Sequence, residues 1–346
     1  MVTLAKGTWW RRHRDAGATQ VLRASAIAST RTIFVGNNSS SPLIVTVDTT
    51  DLAELAPTYT ARTANGSDQL YGVAHIATEN ETVAVGNNGR VEDSQDQGLN
   101  WSSQVLSLSP PLYDVVGVSG DASRFVAAGF NSIWTQNQSA VWTRTWQGGQ
   151  RWDSVTHMPG VGWVAVGQNG YASHSPTALN GTWLAPYQIT TTGLAKVRSS
   201  GSLYMAVGQG GKIFTSATGL SGSWADRSIA VAANLNALAW LGGDSWIAIW
   251  GTYNRAWYTD DNGINWTELD TAFQYGMSGV DSGATYALAC GGRANTFVSY
   301  DQIQADYVEP ADIEPPGEVG PAFSANDDMA GDAIRRLITQ FRSGRG

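Results

Sequence analysis

Cysteine is nearly missing from this chain of 346 residues: Cys290 stands alone, so no internal disulfide can form and the fold must hold by packing and hydrogen bonds. Lysine is almost as scarce, with Lys6, Lys196 and Lys212 as the full set, and charged residues make up only 14% of the chain at a formal net charge of −8. No Lys-rich surface is available to follow a phosphate backbone, so nucleic acid is not an expected partner. No run of 18 apolar residues occurs, which excludes a membrane-spanning helix. The N-terminus lacks an apolar run of signal-peptide length, so synthesis in a cytosol is expected. His13, His75, His157 and His174 are isolated from one another, and no metal site or cofactor is expected. Phosphate loops, nucleophile elbows and redox pairs are absent too.

What the chain has instead is glycine (39), tryptophan (15) and many Ser, Thr and Asn, the composition of short strands joined by tight turns. Two elements recur. One is an apolar run ending in glycine: Ile33-Phe-Val-Gly36, Val83-Ala-Val-Gly86, Val126-Ala-Ala-Gly129, Val164-Ala-Val-Gly167, Met205-Ala-Val-Gly208, Ile247-Ala-Ile-Trp-Gly251 and Ala287-Leu-Ala-Cys-Gly291. The other follows it and reads Ser/Thr-x-Asp-x-Gly-x-x-Trp, as Ser94-Gln-Asp96-Gln-Gly98-Leu-Asn-Trp101 and Thr259-Asp-Asp261-Asn-Gly263-Ile-Asn-Trp266. In that order the residues describe a fastened turn: hydroxyl and carboxylate cap backbone N–H groups, glycine takes a positive φ, and tryptophan opens the next strand and packs back over the corner. Weakened copies occur at Thr135 to Trp142, Ser173 to Trp183 and Thr215 to Trp224. A period of about 40 residues fits four short strands per unit, and the expected fold is an all-β, seven-bladed β-propeller of four-stranded blades over residues 1–308. The last repeat lacks its Gly-x-x-Trp, while Gly7-Thr-Trp9-Trp10 lies unused at the N-terminus, so the N-terminal strand is expected to close the ring.

The fastener, preceded by a strand such as Trp163-Val-Ala-Val-Gly167, resembles the Asp-box (BNR) repeats of sialidase-like β-propellers. The pattern Gly208-Gln-Gly-Gly211-Lys-Ile213 is more similar still to the seven-bladed propellers of the photosystem II assembly factor-like family. Repeats of this kind also occur in bacteriophage tail proteins, a setting that fits the low charge and the single cysteine. The resemblance implies that the turns after the glycine-ended strands share one face, where ligands bind. That face would collect Asn88, Arg90, Phe130, Asn131, Gln168, Asn169, Gln209, Tyr253, Asn254, Arg255 and Arg293, with Phe130 and Tyr253 as the aromatic residues to test first.

A sialidase-like glycosidase needs an arginine cluster, a tyrosine nucleophile paired with glutamate, and an aspartate acid. Arg90, Arg255 and Arg293 supply arginines, but Glu54, Glu79, Glu81, Glu92 and Glu268 fall at repeat edges or beside fasteners, and the Arg-Ile-Pro signature of such enzymes is absent. No enzymatic activity is expected. The expectation is a non-catalytic structural and interaction platform in a virion tail, its subunits made in the host cytoplasm, with other protein subunits of an assembly as partners and a host-surface glycan as a further one. A cellular assembly factor or a glycan-binding propeller, cytoplasmic in place of virion-borne, stays open as the alternative.

After the repeats the composition changes. Residues 309–324 form an acidic, Pro-rich linker that should stay extended. Over 325–343, Met329, Ile334, Leu337, Ile338 and Phe341 fall on one face at helical spacing, with Asp327 and Asp328 in the first turn and Arg335, Arg336 and Arg342 later. Such a helix is short enough to be marginal alone in water, so its apolar face is expected to anchor to a neighbouring subunit. Removing residues 322–346 should leave a folded propeller, with an unchanged melting curve, that fails to assemble with its neighbours. Normal incorporation of the truncated chain would refute the anchor.

Overall fold

The structure is a computed structural model, and it describes residues 10–14, 20–51, 58–64, 66–251, 255–269, 277–282, 286–292 and 296–300. The linker and the C-terminal helix expected at 309–343 lie outside these residues.

All regular elements among the described residues are strands or single 3-10 turns. After β1 (Trp10–Arg14), the strands β2 (Gln20–Ile27), β3 (Arg31–Asn38), β4 (Ser41–Asp48) and β5 (Thr60–Arg62) pair in that order, all antiparallel. The next sheet is β6 (Leu70–Ile76), β7 (Glu81–Gly86), β8 (Arg90–Ser94) and β9 (Ser102–Val105). Then come β10 (Leu112–Gly117), β11 (Phe125–Gln136), β12 (Trp142–Met158), β13 (Gly162–Gly167), β14 (Tyr171–Ser175) and β15 (Tyr187–Gln188), all in one sheet. Two further four-stranded sheets follow: β16 (Leu194–Ser199), β17 (Tyr204–Gly208), β18 (Ile213–Ser216) and β19 (Ala225–Asp226), then β20 (Leu235–Gly242), β21 (Ser245–Trp250), β22 (Arg255–Thr259) and β23 (Thr267–Leu269). The last sheet runs β24 (Met277–Ser282), β25 (Tyr286–Gly291), β26 (Thr296–Tyr300) and β1, so the N-terminal strand is its outer strand.

The expectation of seven separate four-stranded blades is therefore corrected. The described residues form five four-stranded blades and one six-stranded sheet, with no α-helix among them. The cause is local. β12 is a 17-residue strand that pairs with β11 through its first part and with β13 through its second. No proline and no left-handed residue interrupts it between Trp142 and Met158, so the chain leaves one set of partners and enters the next without a loop. β11 itself folds back at Phe130-Asn131, where Asn131 has φ 56°, and Arg124 N–H bonds the Gln136 carbonyl at 2.9 Å across the bend.

The glycine-ended runs are the second strands of these sheets. In β7 and β13 every residue is buried, because neighbouring sheets cover both faces, and this is why they read as continuous apolar runs and not as alternating ones. Their terminal glycines are required by close approach. A Cβ on Gly36, Gly86 or Gly167 would lie within 2.0 Å of the carbonyl oxygen of Val21, Gln69 or Arg151, the residue just before the one that pairs with that glycine. The tight turns that follow then need a left-handed residue, supplied by Asn88 (φ 52°) and Asn169 (φ 57°).

The fastened turns form as their residue order dictates. The Ser94 hydroxyl bonds Asp96 Oδ1 (2.8 Å) and accepts Gly98 N–H (2.9 Å), while Asp96 accepts the N–H groups of Leu99 and Asn100 and the Asn100 amide. Trp101 Nε1 donates to the Gly98 carbonyl at 2.9 Å. Thr259, Asp261, Gly263, Asn265 and Trp266 repeat this set. In two of the weakened copies a second hydroxyl replaces the aspartate, Ser175 bonding Thr182 and Ser216 bonding Ser223, each at 2.6 Å, and in the third Asn137 Oδ1 accepts the N–H groups of Ser139 (2.9 Å) and Val141 (3.0 Å). Burial pushes Asp96 and Asp261 up, but the hydrogen bonds from Asn100 and Asn265 and from the Ser94 and Thr259 hydroxyls hold both below the ordinary carboxylate value.

Each sheet packs on the next through an apolar seam, with Trp152, Trp163 and Trp246 among the largest fully buried side chains. The last sheet meets the first through Leu288 and Cys290 against Leu22 and Phe34, which closes the ring. Trp101 is 8% exposed in the seam between the first two sheets. Trp101→Ala should lower unfolding free energy by roughly 3–5 kcal/mol in denaturant titration. A variant as stable as the parent would show that the fastener tryptophan does not carry the seam.

Candidate functional site

The innermost strands, β2, β6, β10, the second part of β12, β16, β20 and β24, lie side by side around the axis. Each is bulged near its start: pairing slips by one residue between Leu22 and Ala24, Leu70 and Gly72, Leu112 and Asp114, and Trp152 and Ser154, and likewise in the others. A bulge leaves one residue unpaired and re-aims its side chain. Three of these bulge residues, with Arg151 just ahead of the fourth bulge, make a continuous rail. The Arg23 guanidinium sits 5.1 Å over the Tyr71 ring, Tyr71 and Tyr113 lie 5.9 Å apart, and Arg151 sits 4.3 Å over the Tyr113 ring. Cation–π contacts of this kind fix the planes of all four groups.

Neighbouring groups hold the rail in place. Arg23 Nε donates to Asn37 Oδ1 (3.0 Å), the Tyr71 hydroxyl donates to Gln69 (3.2 Å), and Arg151 is clamped by Asp153 at 2.6–2.7 Å. All four rail residues are half-buried. Burial pushes the Tyr113 phenol up, so it stays a neutral ring with a hydrogen-bonding tip.

Phe130 belongs to this surface. It pairs with Arg151 across β11 and β12 and is 47% exposed. The other turn residues expected on this face divide. Asn88, Gln168, Asn169 and Gln209 are exposed, with Asn88 donating to Asp68 at 2.6 Å, and Asn131 is half-buried in the bend beside Phe130. Arg90 is turned inward instead, 6% exposed and bonded to Glu92 at 2.6 Å. Arg255 is exposed but ion-paired with Glu268. Tyr253, Asn254 and Arg293, like the tail residues Met329, Ile334, Leu337, Ile338 and Phe341, lie outside the described residues.

One residue beyond the bulges lies a charged cluster that sequence reasoning missed. Asp114 on β10 accepts Lys196 Nζ (3.0 Å) and Arg198 Nη1 (2.9 Å) from β16, and the Ser154 hydroxyl donates to it at 2.5 Å. It also accepts Val155 N–H at 3.3 Å, while Ser154 accepts Val197 N–H at 3.1 Å, so these side chains satisfy the inner edges of the next strands. Burial pushes Asp114 up, yet the Arg198 and Lys196 charges with the Arg198 and Ser154 hydrogen bonds hold it far below the ordinary carboxylate value. Asp281 on β24 goes the other way: burial pushes it up to about 6, against the Ser282 N–H and the Arg198 and Lys196 charges. The sequence signal for both features was the repeated buried opener, Leu22, Leu70, Leu112 and Trp152, whose next residue is the rail position or its acidic neighbour.

No group of three or more His, Cys, Asp or Glu able to hold a metal ion occurs among the described residues, and no helix among them is long and apolar enough to cross a membrane.

With that geometry the chain is similar to solved β-propellers. It matches the WD40 propeller domain of Doa1 with a TM-score of 0.69 at 7% identity, covering 86% of this chain and 98% of that one. It matches YCF48 bound to a D1 peptide with a TM-score of 0.63 at 16% identity, covering 87% and 97%. A virginiamycin B lyase from Staphylococcus aureus matches with a TM-score of 0.70 at 12% identity, covering 84% and 98%. At these identities the likeness shows the fold alone: an all-β propeller. No protein-family signature matches the chain, and no curated protein sequence does.

Two opposite pH dependences follow from the axial carboxylates. Asp114, depressed in the folded state, contributes stability at any pH above the unfolded value of about 3.9 and loses it only in stronger acid. Asp281, raised to about 6, favours the folded state below about pH 4 and loses that contribution as pH climbs to about 6. Asp281→Asn should remove the decline in melting temperature between those limits, whereas Asp114→Ala, which strands two cations, should destabilise by about 3–5 kcal/mol near neutrality. An unchanged pH profile in the Asn variant would contradict the Asp281 assignment.

Proposed function

We propose that the chain is a non-catalytic interaction platform whose rail, Arg23–Tyr71–Tyr113–Arg151 with Phe130 beside it, holds a segment of a partner protein. The carrying observation is the stack itself. Four side chains of the types that dominate binding energy at interfaces are locked in place before a partner arrives, so little side-chain entropy remains to be lost on docking. YCF48, a ring of the same fold, is seen with a peptide bound, which supports a peptide-like occupant here.

The setting we propose is a bacteriophage virion tail, with the ring as a rigid docking surface, residues 325–343 as the anchor to a neighbouring subunit, and synthesis in the host cytoplasm. The low charge, the single cysteine and the amphipathic C-terminal stretch support that setting. A cellular assembly factor is the second reading, favoured by the same likeness to YCF48. Sialidase-like hydrolysis is not favoured, because Arg90 is spent on Glu92 and Arg255 on Glu268 in place of converging on a substrate carboxylate.

The test is co-expression with the products of the neighbouring genes, followed by affinity measurement on whichever product co-elutes. A tail or portal protein should bind, and Tyr113→Ala with Phe130→Ala should weaken it by roughly 10–100-fold while the ring keeps its melting temperature. Unchanged affinity in the double variant refutes the rail. Photosynthetic or secretion genes as neighbours refute the virion setting but leave the rail standing.

A further inference from the structure

The outer flank of the ring carries a feature that the rail does not use. A groove of about 670 Å³ runs between residues 226–231, at and just after the end of β19, and the outer strands β22 and β23 of the next sheet. Its floor is apolar: Trp257, Trp266, Ile229 and Val231 line it, and all four belong to one inter-sheet seam. Trp266 is half-buried, so part of its indole stays open, and its Nε1 is fixed on the Gly263 carbonyl at 3.1 Å. The ring plane is thus set before anything binds.

The rim is polar, made by Asp226, Arg227, Asn265 and Glu268. Both carboxylates already face a cation, Asp226 with Lys212 at 3.9 Å and Glu268 with Arg255. Arg227 differs. Among the described residues it forms no ion pair, and its Nε is buried without an acceptor. Only the Nε is enclosed; the Nη groups of this half-buried side chain are not, so the end of the guanidinium is the part a groove ligand can reach.

We propose that this groove binds a saccharide bearing a carboxylate. A sugar ring has an apolar C–H face that stacks on an indole and an equator of hydroxyls that are donors and acceptors at once. Trp266 offers the first surface, and Asp226, Asn265 and Glu268 offer acceptors for the second. The planar fork of Arg227 matches a carboxylate through paired N–H···O bonds. A neutral sugar would leave Arg227 unmatched, and an apolar side chain would leave the whole rim unmatched. The groove shares no residue with the rail, so this inference stands apart from the protein-docking reading.

The test is a tryptophan-fluorescence titration of the full chain with oligomers of a hexuronic acid, alongside neutral hexose oligomers of the same length. The acidic oligomers should give a saturable change with at least tenfold tighter half-saturation than the neutral ones. Arg227→Gln should abolish that preference, and a thermal melt reports whether the variant is folded. Asp226→Asn, at an exposed position, should tighten acidic binding by removing a rim charge, and Phe130→Ala should change nothing. Equal binding of neutral and acidic oligomers, a preference that survives in folded Arg227→Gln, or no saturable change up to on the order of 10 mM overturns the proposal.

Discussion

The structure depends on a close approach of backbone to backbone. Where the second strand of a sheet ends, its terminal glycine lies against a carbonyl of the first, at Gly36 on Val21, Gly86 on Gln69 and Gly167 on Arg151, with room for a hydrogen and no more. That contact sits next to the slip in register that bulges every innermost strand. The bulge turns Arg23, Tyr71 and Tyr113 out of the paired pattern and toward one another. A glycine needed for packing thus sits beside the bulge that sets where the rail side chains point.

Further along the same strands a different problem is solved. The innermost strands have one unpaired edge facing the axis, and unpaired backbone groups in a confined space need partners. Asp114 and Ser154 supply them for Val155 and Val197, and once a carboxylate is buried there, Lys196 and Arg198 are needed to compensate it. A buried network of this kind adds little net stability over an apolar core but strongly disfavours any register that separates its members. It lies where the six-stranded sheet meets the next one, where β12 runs through without a loop to pin the register.

The fasteners and the glycine-ended strands were legible in the sequence because each is local: Ser94, Asp96, Gly98 and Trp101 make their bonds within eight residues of chain. The fused sheet was not legible. Counting glycines gives the second strands correctly but says nothing of whether a loop separates one unit from the next, and Gly148-Gly149 looks like a turn while running as strand. Arg90 misled for a related reason. Its turn does lie among the others, but Glu92, two residues on and on the same side of β8, captures it. The rail and the axial cluster were hidden because their members come from different repeats, and only the closing of the ring places Tyr71 against Tyr113 or Asp114 against Lys196.

The rail and the outer groove belong to different parts of the ring, one on the strands from β2 to β12 and the other between the sheets of β16–β19 and β20–β23. Coupling between them would need an element with two alternative packings. The seams between sheets are centred on Trp152, Trp163 and Trp246, all fully buried, and side-chain to backbone bonds such as Val197 N–H to Ser154 tie the innermost strands together. A ring built this way does not transmit binding as a change of shape. It does hold two surfaces at a fixed separation, so a protein segment on the rail and a saccharide in the groove would gain from each other only through proximity, by effective concentration when both ligands belong to one larger structure. That is the behaviour of a spacer between partners.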